Sequence, residues 1–244
     1  MRLLDYSLPS VHENLAVDEA LLLESEAASG AEWLRIWEQP TYAVVLGVSG
    51  AVRDDVELEA CTADQITVAR RASGGGTVLI GPGCLCYSLI LDMDLRPELR
   101  AVGESYRAIL ARLGASIARL PDSERLGGDL IVAGRSDLAV ASRKVSGSAQ
   151  KRGRRFLLHH GTLLYGLDLN RVSRCLKQPM RQPLYRGNRP HAQFVVNLPH
   201  QRAELQAALT TAWEGLESSS AIPLEAARNL AEQKYAQLTW IMRR

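Results

Sequence analysis

The chain has 244 residues, of which 46% are hydrophobic and 23% charged, an ordinary balance for a soluble globular protein and enough for one large α/β domain or two small ones. A formal net charge of +2 gives no argument for nucleic acid or a membrane surface as partner. Acidic and histidine side chains at Asp5, His12, Glu13, Asp18 and Glu19 interrupt the first apolar stretch, so neither a signal peptide nor a membrane span is expected.

In chain order, residues 3–7 suggest a short strand. Asn14 to Glu26 reads as a helix, with Leu15, Ala16, Leu21, Leu22 and Leu23 on its apolar face and Ser10 as cap. Trp33–Trp37 and Tyr42–Leu46 read as strands around a turn at Pro40. A short helix over Val56–Asp64 leads to a strand at Gln65–Ala69, then a glycine loop. Thr77–Ile80 and Leu85–Leu91 are strands around Gly81-Pro82-Gly83. Pro97 to Leu113 has helical periodicity, with Val102, Tyr106, Ile109, Leu110 and Leu113 on one face. Strands follow at Asp129–Val132, Asp137–Ala141, Lys144–Ser148 and Phe156–Tyr165. Helices over Gln201–Leu216 and Leu224–Leu238 close the chain. Strands cluster rather than alternate with helices, which predicts an α+β fold with a mixed, largely antiparallel sheet flanked by helices. The expected organisation is one domain over 1–244, with a motif-bearing core to about 170 and a C-terminal basic segment and helices over 171–244.

Four clusters are candidates for chemistry. The first is Arg70-Arg71-Ala72-Ser73-Gly74-Gly75-Gly76-Thr77. Consecutive glycines let a backbone adopt positive φ and approach a ligand, inward N–H groups can cradle an anion, and arginines add bidentate donors. A tight turn with solvated arginines fits the same pattern. It is neither a phosphate-binding GxxxxGK[ST] loop nor a dinucleotide fingerprint. The second cluster is Arg143 to Gln150. Strand alternation puts Lys144 and Ser146 on one face, with Val145 to the core. A lysine there can stabilise charge moving between a carboxylate and a phosphate, although exposed strand lysines are common. The third is His159-His160-Gly161-Thr162. Adjacent strand histidines face opposite ways and cannot share a metal, so one is expected to brace the site from a buried position. The fourth is Cys84 and Cys86, which share a strand face. Packing is the commoner fate of such cysteines. The four cysteines, with Cys61 and Cys175, lack CxxC spacing and fit a reducing, cytoplasmic setting.

Three of these stretches together, RRASGGGTV at Arg70–Val78, SDLAVASRKVSGSAQ at Ser136–Gln150 and HHGTLLYGLDL at His159–Leu169, resemble the lipoate–protein ligase A family, within the wider biotin and lipoate ligase and octanoyltransferase superfamily. Weaker echoes are ENLAVDEALL at Glu13–Leu22 and LRIWEQPTYAVVLG at Leu34–Gly47. The resemblance implies a class II biotin/lipoate-ligase-like catalytic domain. It implies ATP and Mg²⁺ as cofactors, lipoate or octanoate as the acid activated to an acyl-adenylate, and a lysine of a lipoyl-acceptor domain as the final acceptor. By the same resemblance Lys144 is the essential lysine between acyl carboxylate and α-phosphate. Arg70, Ser73, Gly74, Gly75, Gly76 and Thr77 form the loop around acyl group and adenylate, and Ser146, Gly147, His160, Gly161 and Thr162 complete the binding set. Asp137 stands on the nucleotide side and is the candidate magnesium ligand.

Two features depart from the family pattern. Many members have a histidine two residues after the loop's final valine, where this chain has Leu79 and Ile80 after Val78. About seventy-five residues follow Asp168, fewer than an accessory domain of about a hundred residues requires, so a short form is expected, working alone, with a separate accessory subunit, or as a carrier-dependent octanoyltransferase. A transferase needs a cysteine nucleophile. None lies in Pro121–Gly134, where the ligase-like transferases would have it, which leaves Cys84 as the candidate in that alternative; a non-catalytic lipoyl-domain binder is a third reading. The run from Arg143 to Arg155 holds six Lys/Arg and no acid, and Lys151, Arg152 and Arg154 in it are candidates for steering an acidic acceptor.

Overall fold

The computed structural model describes residues 1–243, and the side chains of all of these except Ala28 and Ser29; Arg244, the last residue of the expected domain, lies outside it. Strands β1 (Arg2–Asp5), β2 (Trp33–Glu38), β6 (Cys84–Asp92), β7 (Ile131–Ala133), β8 (Asp137–Val140), β9 (Arg143–Arg152), β10 (Phe156–Leu164) and β11 (Glu217–Ser218) form one sheet in the order β11-β1-β2-β6-β10-β9-β8-β7. Its first two pairings are parallel and the rest antiparallel, so the expected mixed α+β fold is what the chain adopts. A second sheet, β4-β3-β5, consists of β3 (Ala43–Leu46), β4 (Thr67–Arg70) and β5 (Val78–Ile80).

The long strands β6 and β10 run side by side from Phe156 opposite Asp92 to Leu164 opposite Cys84. Their alternation divides the core in two. Cys84, Cys86, Ile90, Phe156 and Leu158 join one apolar cluster; Leu85, Tyr87, Leu89, Leu91 and Leu157 join the other. Helices α4 (Val102–Ile117) and α7 (Arg202–Ala212) cover the second face. The first is covered by α1 (Val11–Glu24), by α8 (Leu224–Leu230) and by the small sheet. Every residue of β6 is buried, as expected for a strand covered on both faces.

Several boundaries differ from the sequence reading. Helix α1 starts at Val11 with Ser10 as its cap, accepting from Glu13 N, and ends in a π-helical turn over Ser25–Ser29. Leu23, read as part of its apolar face, is exposed, whereas the polar Asn14, Asp18 and Glu19 are buried. The helix is enclosed along Asn14–Leu22 rather than on one stripe. The segment read as one helix from Pro97 is a 3₁₀ turn (Pro97–Leu99) followed by α4, which leaves Val102 exposed and runs on to Ile117. The last expected helix is interrupted: α8 passes into a π-helical turn (Ala231–Tyr235), then into α9 (Leu238–Ile241). The segment after Asp168 holds α5 (Leu169–Cys175), a 3₁₀ turn at Leu184–Arg186 and α6 (His191–Phe194), none of them read from sequence. Before β4, the short helix expected over Val56–Asp64 is present as α3 (Leu58–Ala63), and α2 (Val52–Asp55), which was not expected, precedes it. Among the described residues no helix is long and apolar enough to cross a membrane.

Candidate active site

The first face of the large sheet, the glycine loop between β4 and β5, and α1 enclose a cleft holding about 690 Å³ of empty space. Leu15, Trp37, Val45 and Ile80 give it an apolar interior; Arg71, Gly75, Gly76, Thr77, Asp137, Lys144, Gly147, His160, Gly161 and Thr162 also line it. A second cleft of about 520 Å³ lies between β5, α5 and α6, with Leu79, Leu167, Val172, Arg186, His191 and Phe194 in its wall. Thr77, Val78, Lys144, Gly147 and Thr162 belong to both. Lys144 therefore stands where the two clefts meet.

The ladder between β8 and β9 explains how Lys144 arrives there. Leu138 pairs with Ser146 and Ala139 with Lys144, which leaves Val145 as an extra residue, a β-bulge. The extra residue shifts the alternation. Lys144 consequently shares its face with Gly147, not with Ser146 as strict period two predicts. A side-chain carbon on Gly147 would lie 2.6 Å from Lys144 Nζ, so the lysine rests in the space that this glycine leaves. Ser146 is wholly buried and does not line either cleft. Lys144 Nζ is 2.8 Å from Asp137 Oδ1, and the Tyr185 hydroxyl donates to Asp137 Oδ2 at 2.7 Å. Tyr185 lies in the basic stretch after Lys177, whose composition gave no sign of a site role.

The glycine loop separates its two arginines. Arg70, at the end of β4, is fully buried and turned away from the cleft. It donates to the carbonyls of Gly47, Gly50, Trp240, Ile241 and Arg243. The expectation that Arg70 contacts substrate is therefore corrected: its neighbour Arg71 is the arginine of the cleft. Arg71 donates to Ser73 Oγ (3.0 Å), Val45 O (3.2 Å), Gly74 O (2.6 Å) and Gly76 O (2.8 Å). Burial lowers its guanidinium to about 10, which still leaves it charged near neutrality. Strand alternation implied that the two arginines diverge, but not which face would be the cleft. Gly75 has φ +90°, in the region that favours glycine. Gly47 is also required: a side chain there would overlap the Gly75 carbonyl. Gly74 and Ser73 do not line the cleft; Ser73 lies beneath the loop, 2.6 Å from His160 Nε2.

The paired histidines divide as alternation requires. His159 faces the second core cluster, stacked on Tyr87, and burial with the neighbouring His160 lowers it to about 3. His160 faces the cleft. Cys84 is buried in the core and lines neither cleft, so it is misplaced for a nucleophile. Cys86 does line the first cleft, but its hydrogen bond to Cys84 and its burial push the thiol well up, away from thiolate. The basic run is also largely committed. Lys151 is paired with Glu19, Arg152 donates to the carbonyls of Leu99 and Arg100, and Arg155 is paired with Asp92. Charge reversal at Lys151 would disturb the core before it disturbed docking.

Among the described residues no group of three or more His, Cys, Asp or Glu could hold a metal ion. Mg²⁺ commonly binds through one or two carboxylates and substrate phosphates while keeping its waters, and Asp137 beside Lys144 fits that limited demand.

A family model, the lipoyl protein ligase A/B catalytic domain, matches residues 10–210. The chain belongs to that family. It is 34% identical over 165 residues to a protein of the lipoate-protein ligase A type from Aeropyrum pernix, covering 68% of this chain and 58% of that one. It is also 34% identical over 189 residues to the octanoyltransferase LipM of Carboxydothermus hydrogenoformans, covering 72% and 69%. A Thermoplasma acidophilum protein of lipoate ligase type, solved with bound lipoic acid, superposes with a TM-score of 0.80 at 21% identity over 99% of this chain and 98% of that one. The chain spans between half and three fifths of the length of the lipoate ligases it matches.

Proposed function

We propose that this protein activates lipoate or octanoate with ATP to an acyl-adenylate and passes the acyl group to a lysine of a lipoyl-acceptor domain. The observation that carries the reading is the meeting of the two clefts at Lys144. The apolar interior between Leu15, Trp37, Val45 and Ile80 suits a medium-length acyl chain, and the second cleft, with Arg186 and His191, suits the nucleotide. Adenylation is a displacement at phosphorus in which positioning and charge neutralisation carry most of the work. Lys144, held by Asp137, stands where it can contact the carboxylate and the α-phosphate together. Asp137 would also hold Mg²⁺, which neutralises phosphate charge when bound. Binding of lipoic acid by the Thermoplasma relative supports the acid assigned to the first cleft.

The likeness to an octanoyltransferase favours a second reading, in which the acyl donor is carrier-bound. Its nucleophile is the difficulty: among the described residues Cys86 is the one cysteine lining the clefts, and its thiol is pushed up. Acyl-dependent ATP–pyrophosphate exchange with Mg²⁺, run beside Lys144→Ala, separates the readings. Exchange that requires the acid and vanishes in the variant is expected. No exchange, with octanoyl transfer from a carrier that is lost in Cys86→Ser, would replace the ligase reading by the transferase one.

A further inference from the structure

Asp18, in the enclosed part of α1 and in the weaker echo at Glu13–Leu22 rather than in the three main motifs, stands at the centre of a polar chain beneath the first cleft. It is 1% exposed. Arg35 Nη1 reaches its Oδ1 at 2.7 Å; Ser88 Oγ at 2.7 Å and His160 Nδ1 at 3.3 Å reach its Oδ2. On the far side of the imidazole, Nε2 is 2.6 Å from Ser73 Oγ, and Ser73 Oγ accepts from Arg71 Nε at 3.0 Å. Arg71 in turn grips the carbonyls of Gly74 and Gly76.

Donor and acceptor chemistry gives this chain a direction. A carboxylate only accepts, so Asp18 takes the hydrogen on His160 Nδ1. A guanidinium only donates, so Ser73 Oγ accepts from Arg71; with a neutral ring that carries its hydrogen on Nδ1, the serine hydrogen goes to the lone pair on His160 Nε2, 2.6 Å away. Burial alone would raise the Asp18 carboxyl; Arg35 and the His160 hydrogen bond outweigh it and hold the group below its ordinary range. The carboxylate thus stays an acceptor, which favours a ring hydrogen on His160 Nδ1. Ser, His and Asp in this order resemble a nucleophilic triad. Ser73, however, is 1% exposed, does not line the cleft, and has its oxygen engaged by Arg71.

We propose that His160, held by Asp18, is a positioning residue that acts through Ser73 to set the shape of the glycine loop and hence the affinity of the first cleft for its acyl ligand. The proposal rests on the reading of that cleft as the acyl site. Asp18 and His160 react with nothing. They hold Ser73, which holds Arg71, which holds the loop carbonyls.

The test uses the full chain and octanoate as probe, with binding read by calorimetry and loop order read by hydrogen exchange of residues 72–77 in the free protein. Ser73→Ala and His160→Asn each break the link between ring and loop. Each is expected to weaken octanoate roughly tenfold, the scale of one hydrogen bond, and to speed exchange in the loop. The double variant should be no worse than either single one. His160→Gln puts an amide oxygen near the position of Nε2, where it can accept from Ser73, and should recover most of the affinity and the slow exchange. In pyrophosphate exchange the loss should appear in KM for the acid and not in kcat. The proposal is overturned if His160→Gln behaves like His160→Asn, if the two breaks add, or if loop exchange does not change. Covalent labelling of Ser73 by a fluorophosphonate would overturn it in favour of a nucleophile. Octanoate binding without any pyrophosphate exchange in the native protein would remove the ligase reading while leaving this one standing.

Discussion

His159 is a fully buried imidazole between Tyr87 and Tyr106, with Gln150 at its Nδ1. Burial, then the neighbouring His160, lowers it to about 3. The unfolded chain protonates a histidine at about 6.5, so between these values the unfolded state binds the extra proton. Stability from this residue is complete above about 6.5 and falls with pH down to about 3. From pH 7.5 to pH 5 the loss is ~2 kcal/mol. In His159→Gln the difference between urea unfolding free energies at those two pH values should shrink by about that amount; an unchanged difference would show that the ring already titrates in the native state. Asp137 calls for a different measurement. Asp137→Asn leaves Tyr185 a partner but removes the charge 2.8 Å from Lys144. Losing a charge-assisted contact of ~2 kcal/mol corresponds to roughly thirtyfold in rate. Pyrophosphate exchange should fall on that scale while the Kd for octanoate holds; a weakened Kd with intact kcat would place Asp137 in the acyl site instead.

At the scale of elements, the three glycines of the loop are equal in the sequence and unequal in the fold. Gly75 needs φ +90°, and a side chain there would press on Arg71 Nη2 at 2.9 Å, whereas nothing lies within 4 Å of a side chain added at Gly74. Gly75→Ala should therefore cost about 1–2 kcal/mol, and Gly74→Ala should stay within about 0.5 kcal/mol of the native chain. Equal melting temperatures for the two variants would mean that the loop relaxes freely. The same contrast shows how far the sequence could be read. The strands along the chain and the α+β class were legible because they rest on local periodicity and turn chemistry, and the three motif stretches were legible as a site through their joint resemblance to the ligase family. The side of β9 that carries Ser146 was not, because one bulged residue inverts the alternation and nothing local announces a bulge. The choice between Arg70 and Arg71 failed for a related reason: alternation separates neighbours without saying which one meets the cavity. Asp18 and Tyr185 escaped because their importance lies in partners 142 and 48 residues away.

Over the whole molecule, residues 240–243 are tied to Arg70, on the side of β4 that faces away from the clefts. The guanidinium of Arg70 joins the turn after β3, through Gly47 and Gly50, to the carbonyls of Trp240, Ile241 and Arg243. Trp240 Nε1 returns a hydrogen bond to Arg70 O at 3.0 Å. Nearby, buried Glu19 gathers Lys151 from β9 together with Lys234 and Tyr235 from the π-helical turn. The last carbonyls of α9 have no partner within the helix and suit a cationic donor. Lysine cannot replace this arrangement, because one ammonium has three donors and no planar fork. Arg70→Lys should leave several buried carbonyls unsatisfied, costing ~3 kcal/mol and lowering Tm by roughly 6–12 °C for a chain of this size. It should leave the KM for octanoate within about threefold of native at a temperature where the variant is folded, since a threefold change is well under one hydrogen bond. A substrate-binding Arg70 would give the reverse pattern, an unchanged Tm with a strongly raised KM. The melting curve and the KM together therefore decide whether this arginine serves the ligand or the joining of residues 240–243 to the turn after β3.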